Sequence, residues 1–236
     1  MKVLVIGDEH TYGYGLSGGK LSYLGHFIRH ISRTGQDISV EAYAHLTMPQ
    51  IALTLAQLPL DRYDLIILQF NHNLLQSTKN DLSGMPRVAM PILPHPLALE
   101  KPKVHVTFLN RLKALKTALL SMVWPPYGLA GISALLKQLR PYRHNVLLLT
   151  PLPHRTWVSR WLQRQSRSIL LEEADQQIFS VFDADSVIQL REEYFLPNDP
   201  EHLSAVSHEL LGRVLFDFYQ SAPTIVTVQS VRREQE

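Results

Sequence analysis

The chain has no cysteine among its 236 residues, which removes disulfides, thiolate metal ligands and a cysteine nucleophile in one stroke. It also lacks any Asp or Glu from Lys101 through Leu171, a window that carries twelve basic residues. With 23 basic and 21 acidic residues overall, 11 basic face 21 acidic elsewhere, a net of −10. The formal charge of +2 therefore conceals a positive stretch and a negative remainder. Glycine is missing from Gln36 through Ser83. No apolar run is long enough to span a bilayer, because the mostly apolar 118–136 is broken by "PPYG" at 125–128. The N-terminus "MKVLVIGDEH" has a short apolar run and no small-residue cleavage site. It reads as a buried strand rather than a secretory signal, and a cytoplasmic location is expected.

Short apolar runs alternate with helix-length amphipathic stretches. Strands are expected at 3–7, 38–44, 64–70, 145–153 and 179–184. Helices are expected near 18–33, 50–58, 107–123, 129–140, 157–175 and 203–219. That alternation predicts an α/β fold, three layers with a mainly parallel five-stranded sheet, within one domain over 1–220. Such sheets bind ligands at the carboxyl ends of their strands. The unusual polar residues fall there: Asp8 to His10 after the first strand, Asn71 to Asn73 after the third, and Asp199 to His202 before the last helix.

An insertion at 76–145 interrupts the rhythm. Its first part is rich in proline, and its second places Phe108, Leu112, Leu115, Leu119 and Val123 on one helical face. A basic helical hairpin acting as a lid is expected there, with 221–236 as a C-terminal tail.

Three blocks resemble the SGNH, or GDSL-type, hydrolases. Gly7, Asp8, Glu9, His10, Thr11, Tyr12 and Gly13 match Gly-Asp-Ser-x-Thr-x-Gly except at the serine. "QFNHNL" at 69–74 is similar to the block Gln-Phe-Gly-His-Asn-Asp, and Asp199, Pro200, Glu201 and His202 to Asp-x-x-His. The resemblance implies an SGNH-hydrolase, flavodoxin-like fold and, as ligand, a small acyl or acetyl ester or a carbohydrate. It implies that Asn73 donates to an oxyanion, that His202 is the base and that Asp199 orients it. Asp8, His10, Asn71 and His72 would line the site. Leu46 or Thr47 would stand where the family has its oxyanion glycine, and Asn71 replaces a second glycine. The family uses no metal or cofactor, and the spacing of His10, Glu9, Asp199 and His202 matches no metal signature.

Glu9 stands where the nucleophilic serine belongs. Serine and histidine act as a unit in acyl transfer, and loss of the nucleophile lowers turnover by about 10⁶. A carboxylate there either fills the oxyanion hole or pairs with His202. Pairing would favour the imidazolium, which cannot act as a base. Three functions are consistent with these residues: a hydrolase-like protein without serine esterase activity, an active hydrolase or acyltransferase using Glu9 differently, and an accessory protein that binds a membrane surface or polyanion through 101–167. Nucleic acid is disfavoured because the basic residues are spread over several elements without a recognised motif.

Overall fold

A computed structural model describes residues 1–44, 46–70, 127–197 and 199–222. Five parallel strands form the central sheet: β1 (Lys2–Gly7), β2 (Ser39–Ala44), β3 (Leu65–Gln69), β4 (Val146–Leu149) and β5 (Ser180–Phe182), in the order β2-β1-β3-β4-β5. The expected five-stranded α/β sheet is therefore present.

The three central strands are apolar at nearly every position because both faces of the sheet are covered. Side-chain alternation then sorts them into two cores. Val3, Val5, Leu65, Ile67, Leu147 and Leu149 point to one side, where they meet α2 (Tyr23–Ser32) and the helix Ala205–Ser221. Leu4, Ile6, Ile66, Leu68, Val146 and Leu148 point to the other, among Ile51 and Leu55 of α3 (Met48–Gln57) and Ile132, Leu135, Leu136 and Leu139 of α4 (Tyr127–Leu139). Each fully buried Leu or Ile stabilises the fold by about 1.5–3 kcal/mol relative to exposure, so these layers dominate the energetics.

That burial corrects one expectation. The second helix of the basic hairpin, expected near 129–140, is α4, whose buried residues are 0–1 % exposed and cover the sheet. It is a layer of the domain rather than part of a lid. The first hairpin helix and the proline-rich segment lie outside the described residues, as does the tail from 223 on. The remaining long helix is α5 (Trp157–Gln177), and the helix Ala205–Ser221 is α6. No described helix is long and apolar enough to cross a membrane.

Strand β4 ends at Leu149, earlier than expected, and 150–156 becomes a loop at the carboxyl edge of the sheet. A two-stranded antiparallel hairpin, β6 (Phe195–Leu196) and β7 (Asp199–Leu203), precedes α6. Proline and alternating charge hid it from a sequence reading. On the α2 and α6 side the helices approach closely at Gly212, where a β-carbon would fall 2.6 Å from the Tyr23 carbonyl oxygen and 2.4 Å from His26 Cβ.

Candidate active site

β1 delivers its last residues to the carboxyl edge of the sheet, and the chain turns at once into the single-turn helix α1 (Glu9–Tyr12). Asp8 caps that turn: its Oδ1 accepts from the His10 N–H at 2.9 Å, and its own N–H donates to Thr11 Oγ1 at 3.2 Å. Gly7 is required by the same turn, since a β-carbon there would lie 2.0 Å from Thr11 Oγ1.

Gln69, the last residue of β3, locks this turn to the sheet. Its Nε2 donates to Asp8 Oδ1 at 2.8 Å, while its Oε1 accepts from Thr11 Oγ1 at 2.6 Å and from the Tyr23 hydroxyl. All four side chains are buried, where an unmade hydrogen bond is costly. Burial pushes the Asp8 carboxyl up to about 7, helped by the charge of Glu9 and opposed by the hydrogen bonds it accepts. Asp8, expected to line the binding site, is thus committed to the frame that aims Glu9.

Strand β7 brings Asp199 and His202 to the same edge. His202 Nδ1 lies 2.9 Å from Asp199 Oδ2, and His202 Nε2 lies 3.6 Å from Glu9 Oε1. The imidazole is thereby set between two carboxylates, one on each nitrogen. Its side chain is 14 % exposed, Asp199 13 % and Glu9 34 %. Burial opposes a charged ring, but hydrogen bonding and attraction from Glu9 and Asp199 outweigh it and raise the His202 pKa above its ordinary value.

Aromatic and imidazole rings enclose His202. Tyr14 sits 4.6 Å away between centroids, tilted by 41°. His10 lies 5.3 Å away and is only 1 % exposed, so it packs behind His202 in the interior. His154, on the 150–156 loop, and His208, in α6, lie 6.3 and 6.4 Å from His10. His208 Nδ1 accepts the Tyr23 N–H at 3.0 Å, and burial, followed by the neighbouring histidines, pushes its pKa well down. Sequence reasoning missed the roles of Gln69, Tyr14 and His208; for Gln69 the signal was its place in the second matching block.

Thr47 caps α3, and its N–H donates to Gln50 Oε1 at 2.9 Å. That amide is already satisfied and does not stand as a ready oxyanion donor. Asn71, His72 and Asn73 lie outside the described residues. Among the described residues no group of three His, Asp or Glu side chains is arranged to hold a metal ion.

An open groove of about 980 Å³ flanks the site, lined by Leu16, Phe195, Leu196 and Val206, with Lys20, Arg155, Glu192 and Glu193 among its charged positions. It borders Asp199 but neither Glu9 nor His202.

No protein-family model matches the chain, and no curated protein does. Solved structures do. A lipase/acylhydrolase from Enterococcus faecalis aligns with a TM-score of 0.57 at 15 % identity, covering 96 % of this chain and 99 % of that one. A putative lipolytic protein of the G-D-S-L family from Desulfitobacterium hafniense aligns at 0.55 and 14 %, covering 92 % and 98 %. A catalytic mutant of an acetylxylan esterase from Geobacillus stearothermophilus aligns at 0.58 and 15 %, covering 92 % of each chain. With its parallel sheet order and two helical layers, the chain has the SGNH-hydrolase, flavodoxin-like fold of these lipases and esterases.

Proposed function

We propose that this protein keeps the ligand cleft of an SGNH-type acyl hydrolase but not its serine esterase chemistry. The observation that carries the proposal is the 3.6 Å contact between Glu9 Oε1 and His202 Nε2. In acyl transfer that nitrogen must be free of its proton to deprotonate a hydroxyl. Here it faces a carboxylate, which favours the protonated ring.

Among the described residues no hydroxyl takes the serine's place. Thr11 Oγ1 is bound to Gln69, and Ser204 Oγ donates to the Glu193 carbonyl at 2.7 Å while capping α6. Among the described residues no serine or threonine bonds to His202. The cationic ring suits an anionic or strongly polar acyl group, bound at this edge without covalent chemistry. The esterases that share the fold support a small acyl or acetyl ester, or the acid derived from it, as the ligand class.

The deciding experiment assays short-chain aryl esters with the natural protein and with Glu9→Ser. The natural protein is expected to give no turnover above buffer, and Glu9→Ser to gain it by restoring a hydroxyl beside a base held by Asp199. Turnover in the natural protein that Glu9→Gln abolishes would replace this reading with one in which the carboxylate acts as base or nucleophile.

A further inference from the structure

Two of the three tryptophans stand near the start of α5, and they share a face with two arginines. Trp157, Arg160, Trp161 and Arg164 follow the i, i+3, i+4, i+7 spacing of one helical stripe. The opposite face of α5 carries the buried Leu162, Gln163, Ser166 and Leu170, so the stripe looks to solvent. Trp157 is 67 % exposed, Arg164 is exposed, and Arg160 and Trp161 are half-buried.

The cations of this region divide into two sets. Arg167 is neutralised by Asp183, with contacts of 2.8 and 2.5 Å, and Arg155 by Glu192 at 3.3 Å. Arg160 and Arg164 have no carboxylate partner among the described residues. The first turn of α5 contains no acid, and its cap residue Thr156 makes no side-chain hydrogen bond to it. The helix dipole therefore adds to the positive potential of the stripe.

The stripe starts at the cleft. His154 packs in the histidine cluster, and the Arg155 N–H donates to the Pro200 carbonyl at 3.2 Å, between Asp199 and His202 on β7. From there the stripe runs away along α5, its aromatic and cationic groups alternating.

We infer that this Trp157, Arg160, Trp161 and Arg164 stripe is a docking surface for a linear anionic polysaccharide, one carrying carboxylate or sulfate groups along its length. An indole face stacks on the apolar face of a sugar ring, and guanidinium pairs with the anionic substituent in a bidentate fork. Equivalent residues recur at about 6 Å along the axis, four residues at about 1.5 Å each, a distance comparable with one pyranose unit. Along a B-form duplex each strand presents a phosphate for every ~3.4 Å of helix axis, a denser row than two arginines match, and no recognised nucleic-acid-binding motif accompanies the stripe. A lipid surface needs a broad apolar face to bury, and here one indole alone is strongly exposed while the remaining apolar face of α5 is locked in the core. This surface is independent of the chemistry at Glu9 and goes beyond the proposed cleft function.

The test is equilibrium binding of the full chain to polygalacturonate at low and moderate salt, followed by tryptophan fluorescence. Phosphatidylglycerol vesicles and an oligo-thymidylate of equal charge serve as comparators. Binding is expected to be tightest to polygalacturonate and to weaken with salt. The double variant Arg160→Gln with Arg164→Gln should lose about tenfold in affinity, two exposed ion pairs near the top of their usual strength, and Trp157→Ala several-fold. Arg140→Gln with Arg143→Gln removes the same charge before β4, at the far edge of the sheet, and should leave affinity unchanged. No binding at low salt, tighter binding to vesicles or oligonucleotide, or equal losses in the two double variants would each overturn the inference.

Discussion

Glu9 and Asp199 grip His202 from opposite nitrogens, with Glu9 Oε1 3.6 Å from Nε2 and Asp199 Oδ2 2.9 Å from Nδ1. An imidazole between two carboxylates is stabilised in its charged form, and consequences for stability follow from the sign of the shift. A histidine whose folded pKa exceeds its unfolded value contributes stability that is complete below the unfolded value, 6.5, and is lost as pH rises through the folded one. Urea unfolding of the natural protein and of Glu9→Gln should therefore differ most at pH 6 and converge at alkaline pH. A gap that widens with pH would contradict the pairing.

Asp8 has the opposite kind of shift for its type. Its folded pKa of about 7 stands above the ordinary 3.8, so the folded state holds a proton that the unfolded chain releases. Stability is then expected to fall as pH rises from about 4 to about 7, the window between those values. Asp8→Asn keeps an oxygen for the His10 and Gln69 donors but does not titrate, and should flatten that slope in a series of denaturation curves.

Ile178 closes α5 in the left-handed conformation, with φ 60 and ψ 56, and is 58 % exposed. That region costs a residue with a β-carbon about 1–2 kcal/mol, and little apolar burial is at stake. Ile178→Gly should raise stability by about 1 kcal/mol after the entropic cost of glycine, read as a higher melting temperature with an unchanged denaturant slope.

Gly212 lets α6 approach α2 until backbone meets backbone. The methyl group of Gly212→Ala would press on the Tyr23 carbonyl and on His26 Cβ, neither of which can swing aside. A loss of about 1–3 kcal/mol, usual for overpacking, is the expected outcome in chemical denaturation. Gly131→Ala, where nothing lies within 4 Å of the added carbon, is the control.

The sheet was legible because Val3 to Ile6, Leu65 to Leu68 and Val146 to Leu149 are apolar on both faces, which only a doubly covered strand requires. The Glu9, Asp199 and His202 grouping was legible only through the resemblance of their blocks to those of the SGNH hydrolases. What the sequence concealed depends on long-range contact. Gln69 reads as one more polar residue until the fold sets it against Asp8, Thr11 and Tyr23. The apolar stripe of α4 fits a lid as well as a layer, and only its burial against Ile66, Leu68 and Leu148 decides between them. His10 looked like a cleft residue from its position in the chain, but the turn capped by Asp8 directs it inward.

The most direct test is a heteronuclear NMR titration of the His202 ring in the natural protein and in Glu9→Gln. Protonation of both nitrogens persisting above pH 6.5 in the natural protein, with a midpoint that drops in the variant, is the predicted result. A ring already neutral at that pH, or a midpoint indifferent to the loss of the carboxylate, would mean that Glu9 does not hold the proton where a base must be free.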